Sequence, residues 1–169
     1  MRFVAVLSFL CLAAFSNARA EEQTQTLGSF RDWSAYSFSE QGHKVCFMAT
    51  KPTRSLPAGA RRGDVYAQVT HRPHDNSNGV FSVVTGYTYK ANSEAVLTIC
   101  DKKFQLMTQG DTAWARDEAT DRAIAAAIKN GNTMTVEGTS SRGTKTTDTY
   151  SLSGSSAAFQ AINRACGVN

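Results

Sequence analysis

Long apolar runs, blocks of one charge, internal repeats and low-complexity tracts are all missing from most of this 169-residue chain. Only residues 3–15 form an almost unbroken apolar stretch, and its ~13 residues fall short of the ~20 a membrane-spanning helix needs. No other stretch qualifies, which excludes a transmembrane helix from the rest of the chain. Charge is also sparse. The chain carries 18 Lys and Arg against 14 Asp and Glu. Two of those cations, Arg2 and Arg19, flank the apolar stretch, so the remainder is close to neutral. That is no nucleic-acid footprint. Glycine-rich phosphate cradles are absent. Cysteine is scarce at four residues, and Cys11 lies inside the apolar stretch.

What is present begins with a leader. Arg2, the apolar run and Ala18-Arg19-Ala20 match the charged, hydrophobic and small-x-small regions of a secretory signal peptide over residues 1–20. Export places nucleic acid out of reach and permits disulfides. Cys46, Cys100 and Cys166 then remain, an odd number, so at least one thiol is free or pairs between chains.

Residues 21–29 read as a polar, flexible lead-in and residues 30–169 as one domain. Its texture is short strands between turn signals, expected near 30–38, 44–50, 64–71, 79–87, 95–100, 102–109, 132–140 and 145–152. Val65, Ala67 and Val69 alternate with Tyr66, Gln68 and Thr70; Met134 and Val136 alternate with Thr133, Thr135 and Glu137. Such period-2 patterns describe sheets with one wet face. Gly143, in the Ser141–Thr144 stretch, suits a tight hairpin. Two helices interrupt the strands. The first spans about 117–130, with Asp117 as cap, Gly131 as stop and a stripe of Ala123, Ile124, Ala127 and Ile128. The second is C-terminal, capped by Ser155 or Ser156 and ended by Gly167. Its apolar face joins Ala158, Phe159, Ile162, Ala165 and Cys166. The fold class is therefore mostly β: a single antiparallel sandwich or barrel-like domain with two short helices. Cys166 on the inward face suggests a disulfide from the last helix to the sheet. Cys46, inside HKVCFMAT, is the preferred partner, with the other two pairings and a free buried thiol left open.

Catalytic patterns are weak. Gly138–Gly143 has the wrong spacing and context for a nucleophile elbow. Cys46 or Cys100 with His43, His71 or His74 lacks any local catalytic signature. His71-Arg72-Pro73-His74-Asp75 reads as a polar turn rather than a zinc site, for want of further ligands. Asp111, Asp117, Glu118 and Asp121 cluster around the first helix, where start signals explain three of them. No cofactor is expected. The remaining candidate is a contact surface. Residues 51–63 form the longest inferred loop and carry Lys51, Arg54, Arg61 and Arg62, four cations suited to an acidic partner.

Several strings together, FRDW (30–33), KVCFMATKP (44–52), VYAQVTHRP (65–73), SVVTGY (82–87), KKFQLMTQGDTAWARDEATDRAI (102–124), GTSSRGTKTTDTYSLSG (138–154) and AINRACGV (161–168), resemble the invasion-associated locus B family of bacterial exported proteins. The resemblance implies a compact β domain in the periplasm, the cell envelope or outside the cell, associated with host-cell invasion or colonisation. It implies a non-catalytic protein that binds or supports an envelope or host-surface protein or glycan. An unrecognised periplasmic hydrolase and a small-ligand or metal carrier are the alternatives. Cys46 and Cys166 match family cysteine positions, which favours their pairing; Cys100 does not. Many members also carry a cysteine in the first strand, where this chain has Ser34-Ala35-Tyr36-Ser37.

Overall fold

In the computed structural model, which describes residues 23–168, the alternating segments pair into one continuous antiparallel sheet of eleven strands. In chain order these are β1 (Gln25–Phe30), β2 (Trp33–Glu40), β3 (His43–Thr50), β4 (Arg54–Leu56), β5 (Tyr66–Arg72), β6 (Ser77–Val84), β7 (Glu94–Ile99), β8 (Lys102–Gln109), β9 (Thr112–Trp114), β10 (Thr133–Thr139) and β11 (Lys145–Ser151). Their spatial order is β1-β2-β3-β5-β6-β9-β8-β7-β10-β11-β4. The expected leader, residues 1–20, lies outside the described residues.

The sheet curls until its two ends meet without joining into a barrel. Trp33 at the start of β2 donates its indole N–H to the Ser151 carbonyl of β11 at 3.0 Å. Just beyond β3, the Thr53 amide reaches the Thr149 carbonyl at 2.8 Å. Every second side chain points into the space so enclosed, as the period-2 patterns require. Ala67, Val69, Leu106, Met134 and Val136 are buried there with Trp33, Phe81 and Tyr150.

Two helices plug the concave side. α1 (Glu118–Asn130) packs on β6 and β8, and α2 (Ser155–Cys166) packs on β1, β2 and β3. Asp117 caps α1 by accepting from the Thr120 amide at 2.7 Å, and this bond holds its carboxyl below the usual range. The buried face of α1 is Asp121, Ile124, Ala125 and Ile128, a shift of the expected stripe that leaves Ala123 exposed. The shift has a reason. Asp121 turns inward to accept the buried Phe81 amide at 2.8 Å, and burial raises its pKa.

α2 starts differently from the sequence expectation. Its cap is Gly154, left-handed at φ 91°. Ser155 and Ser156, the expected caps, fall inside the first turn and donate instead to the Ile128 and Lys129 carbonyls, at 2.9 and 2.8 Å. Those carbonyls belong to the last turn of α1, where helical partners run out. The two serines therefore splice the helices together. Gly154 sits so close to β1 that an added Cβ would lie 1.8 Å from the Phe30 carbonyl oxygen. Gly154→Ala combines that clash with a disfavoured φ, and a loss of more than ~3 kcal/mol is expected in urea unfolding.

The other end of α2 is fixed by Cys46–Cys166, a disulfide with Cα atoms 6.0 Å apart and 120 residues between its ends. Beside it, His71 pairs with Cys46 in the β3–β5 register. Its Nδ1 accepts the Gly79 amide at 2.9 Å, so Nε2 carries the proton donated to Asn163 Oδ1 of α2, also at 2.9 Å. Burial lowers the His71 pKa, which keeps this neutral form. Cys100 is exposed and unpaired in the β7–β8 turn.

Three strands were not expected. Residues 25–29, assigned to a flexible lead-in, belong to β1. They are polar because β1 is an edge strand, held by its backbone ladder to β2 and by Leu27 and Phe30 against the core. β4 forms inside the inferred 51–63 loop and pairs with β11 from Arg54 to Leu56. β9 is three residues long, too short to show a period.

Candidate functional site

Within the cationic segment 51–63, Arg54–Leu56 form β4 and the remainder is non-regular. Beyond β4 it turns, and its far end is fastened by a close approach of two glycines. The Gly63 amide donates to the Gly86 carbonyl at 2.9 Å. Gly86 is left-handed at φ 67°, and a Cβ there would lie 2.6 Å from the Gly63 oxygen. Opposite this segment stands the β10–β11 hairpin. Gly143 takes the expected positive φ, 84°. The Ser140 amide donates to Thr144 and the Ser141 amide to Thr88, 2.9 and 2.8 Å. Hairpin and segment together wall a cleft of about 230 Å³ lined by Arg61, Arg62, Tyr87, Ser140, Arg142 and Thr146, among others.

Arg62 is the base of this cleft, not a free contact residue. Its Nη1 and Nη2 donate to Asp148 Oδ2 and Oδ1 at 2.9 and 2.5 Å, a two-pronged pair. The side chains are 7% and 0% exposed. Of the four cations expected at a contact surface, Arg62 is thus the one bonded to Asp148, while it still lines the cleft. Asp148 lies on the inward face of β11 and needs a counter-charge, and the cation that meets it is the one beside the Gly63–Gly86 contact. Hydrogen bonding to Asp148 raises the pKa of Arg62 further above its ordinary value. The guanidinium carbon sits 5.8 Å from the Tyr87 ring centre, and the Tyr87 and Tyr89 rings meet edge to face at 5.3 Å. Tyr87 Oη lies 2.6 Å from Thr146 Oγ1. Gly138 makes room for both rings, since a Cβ there would lie 2.6 Å from Tyr89 and 2.8 Å from Tyr87 Oη. Burial raises the pKa of Tyr89 and of Tyr150, so the pair is surrounded by neutral phenols.

Lys51, Arg54 and Arg61 are exposed, as is Arg142. None of them has an ion-pair partner among the described residues. The structure thus brings Arg61 and Arg142 to one cleft, leaves Arg54 at the start of the edge strand β4 and leaves Lys51 just beyond the end of β3. Sequence reasoning placed Arg142 in a turn and did not connect it to Arg61.

The groups weighed for catalysis are dispersed. Cys46 is consumed by the disulfide. His43 and His74 stack face to face at 3.4 Å, while His71 is bonded to Asn163 and Gly79. No three His, Cys, Asp or Glu side chains among the described residues are grouped to hold a metal ion. Ser140 Oγ accepts the Thr144 amide, and Glu118 pairs with Arg122. The cationic cleft is lined by guanidinium and hydroxyl donors, and no His, Cys, Asp or Glu is among its lining residues.

The model of the invasion associated locus B (IalB) protein family matches residues 33–163. The chain belongs to the IalB family. The solved structure of invasion associated protein B from Bartonella henselae is 15% identical, covers 83% of this chain and 97% of its own, and superposes with a TM-score of 0.58. At that identity the likeness is one of fold. None of the curated proteins matches the chain in sequence. IalB membership fits an invasion-related protein, and the match takes in β2 to α2, including Arg61, Arg62, Arg142 and Asp148.

Proposed function

We propose that this IalB protein is exported, does no chemistry, and acts by binding an acidic envelope or host-surface molecule through Lys51, Arg54, Arg61 and Arg142. The observation that carries this reading is the convergence of Arg61 and Arg142, neither with an ion-pair partner among the described residues, on a cleft with no acidic lining. Four other clefts each include carboxylates, such as Asp64 with Asp111 and Glu40 with Asp75. Unneutralised guanidiniums held on a fixed scaffold favour anionic partners by charge and by paired hydrogen bonds. Export is supported by the leader features of residues 1–20 and by the Cys46–Cys166 bond, which belongs to oxidising compartments. No helix among the described residues is long and apolar enough to cross a membrane. The invasion role rests on the family's name and that of the Bartonella protein.

Cross-linking in intact cells, followed by capture, tests the surface. A specific partner joined through Lys51 is expected. Arg54→Glu with Arg61→Glu should lose it, and Lys102→Glu with Lys103→Glu, on the exposed start of β8, should keep it. A partner retained by the first pair of changes contradicts the reading.

A further inference from the structure

The cleft between Arg61 and Arg142 narrows the class of ligand. We propose that it is a subsite for one sugar unit bearing a sulfate or phosphate ester, the acidic unit of a glycan; this rests on the binding reading above. Charge comes first. Arg62 at the base is neutralised by Asp148, but Arg61 and Arg142 are not neutralised by anything among the described residues. Two guanidinium forks facing one small space match the several acceptor oxygens of an ester oxyanion.

The hydroxyls agree with the charge. Tyr87 Oη and Thr146 Oγ1 share one hydrogen bond, yet each brings a proton, so one O–H is left to donate. Ser140 Oγ accepts from the Thr144 amide and keeps its own O–H. The lining thus has an excess of donors over acceptors, suited to an oxyanion and to ring hydroxyls beside it. The volume, about 230 Å³, lies below the ~300–1,000 Å³ of pockets for drug-sized ligands. It accommodates one ring with its ester rather than a long chain. The Tyr87 ring supplies the one aromatic wall. A membrane is a poorer fit. Among the described residues Leu56 is the sole exposed large hydrophobic side chain, so no cluster is present to enter the lipid interface. The site is also preformed, because the Arg62–Asp148 pair, the Gly63–Gly86 contact and the hairpin bonds fix both walls.

The test is a titration of the purified protein, followed by side-chain and amide NMR, with glucose 6-sulfate and glucose 6-phosphate. Glucose, inorganic sulfate and vesicles containing phosphatidylglycerol are the comparisons. Saturable shifts at Arg61, Arg142 and Ser140 are expected for a sugar ester, with Kd of about 1 mM or tighter. Glucose and inorganic sulfate should each bind about tenfold more weakly. Arg61→Ala and Arg142→Ala, at exposed unpaired positions, should each weaken ester binding about tenfold with unchanged thermal unfolding, and Arg142→Lys should fall between. Equal binding of glucose, or indifference to both alanine variants, overturns the proposal. Inorganic sulfate binding as tightly as the esters replaces it with a free-ion site. Vesicle binding that depends on Arg61 and Arg142, without ester binding, replaces it with a lipid surface. Failure of the esters while capture in cells still depends on Arg54 and Arg61 removes the glycan subsite and leaves the binding reading intact; failure of both removes both.

Discussion

Arg62→Ala is expected to destabilise the protein by about 3–5 kcal/mol, the range found when one partner of a buried pair is removed. The reason is the state in which Asp148 is left. Its side chain is fully buried, and Arg62 supplies both of its charge-assisted hydrogen bonds. Without Arg62 the carboxylate is left buried with neither its counter-charge nor those two hydrogen bonds. Arg62→Met combined with Asp148→Leu removes both charges, and most of the lost stability should return. Urea unfolding measures both effects. A loss below ~1 kcal/mol at neutral pH for Arg62→Ala would show that the pair is solvated and not the base of the cleft.

The second large effect is at the disulfide between β3 and α2. Cys46→Ser with Cys166→Ser should cost about 4–5 kcal/mol, the chain-entropy value for a closed loop of 120 residues. The variant should still fold. α2 keeps the His71–Asn163 bond, the Lys44 Nζ bond to the Ala165 carbonyl at 3.2 Å, and the two serine bonds to α1. Amide exchange should accelerate most in the last turn of α2. Cys100→Ser, at an exposed turn position, should change stability by less than ~0.5 kcal/mol. An unfolding midpoint that is unmoved in the double variant and unmoved by reductant would contradict this role for the disulfide.

These two features differ in how far they can be read from the sequence. The disulfide is half-visible there. Ala158, Phe159 and Ile162 form a helical stripe that continues to Cys166, and a thiol on that face must look toward the sheet. The family resemblance then favours Cys46. The ion pair is harder. Arg61 and Arg62 are adjacent and chemically identical, and which one turns inward is decided by Asp148, 86 residues further on. A trace of that decision is present in TTDTYS, where Asp148 shares the inward face of a strand with Thr146 and Tyr150 and so demands a cation. Nothing local says which cation. The same limit explains the strands that went unread. β1 is defined by pairing with β2 and has little apolar alternation of its own, and β4 exists because β11 lies beside it. In α1, Ile124 and Ile128 are buried as the stripe requires, but Asp121 and Ala125 lie inward where Ala123 was expected, because the Asp121 carboxylate accepts the Phe81 amide. Burial periodicity is a local signal and was legible. Polar partnerships depend on which distant segments meet, and the candidate cleft is built almost wholly from these.

The most direct measurement is the NMR behaviour of the arginine guanidinium groups in the intact protein. The account holds that Arg62 is clamped beneath a preformed cleft while Arg61 and Arg142 remain open to a ligand. It predicts separate Nη resonances for Arg62, with hydrogens that exchange as slowly as core amides, beside averaged and rapidly exchanging groups at Arg61 and Arg142. Rapid averaging at all three would contradict it, because the cationic segment would then be a solvated loop with no fixed site to offer.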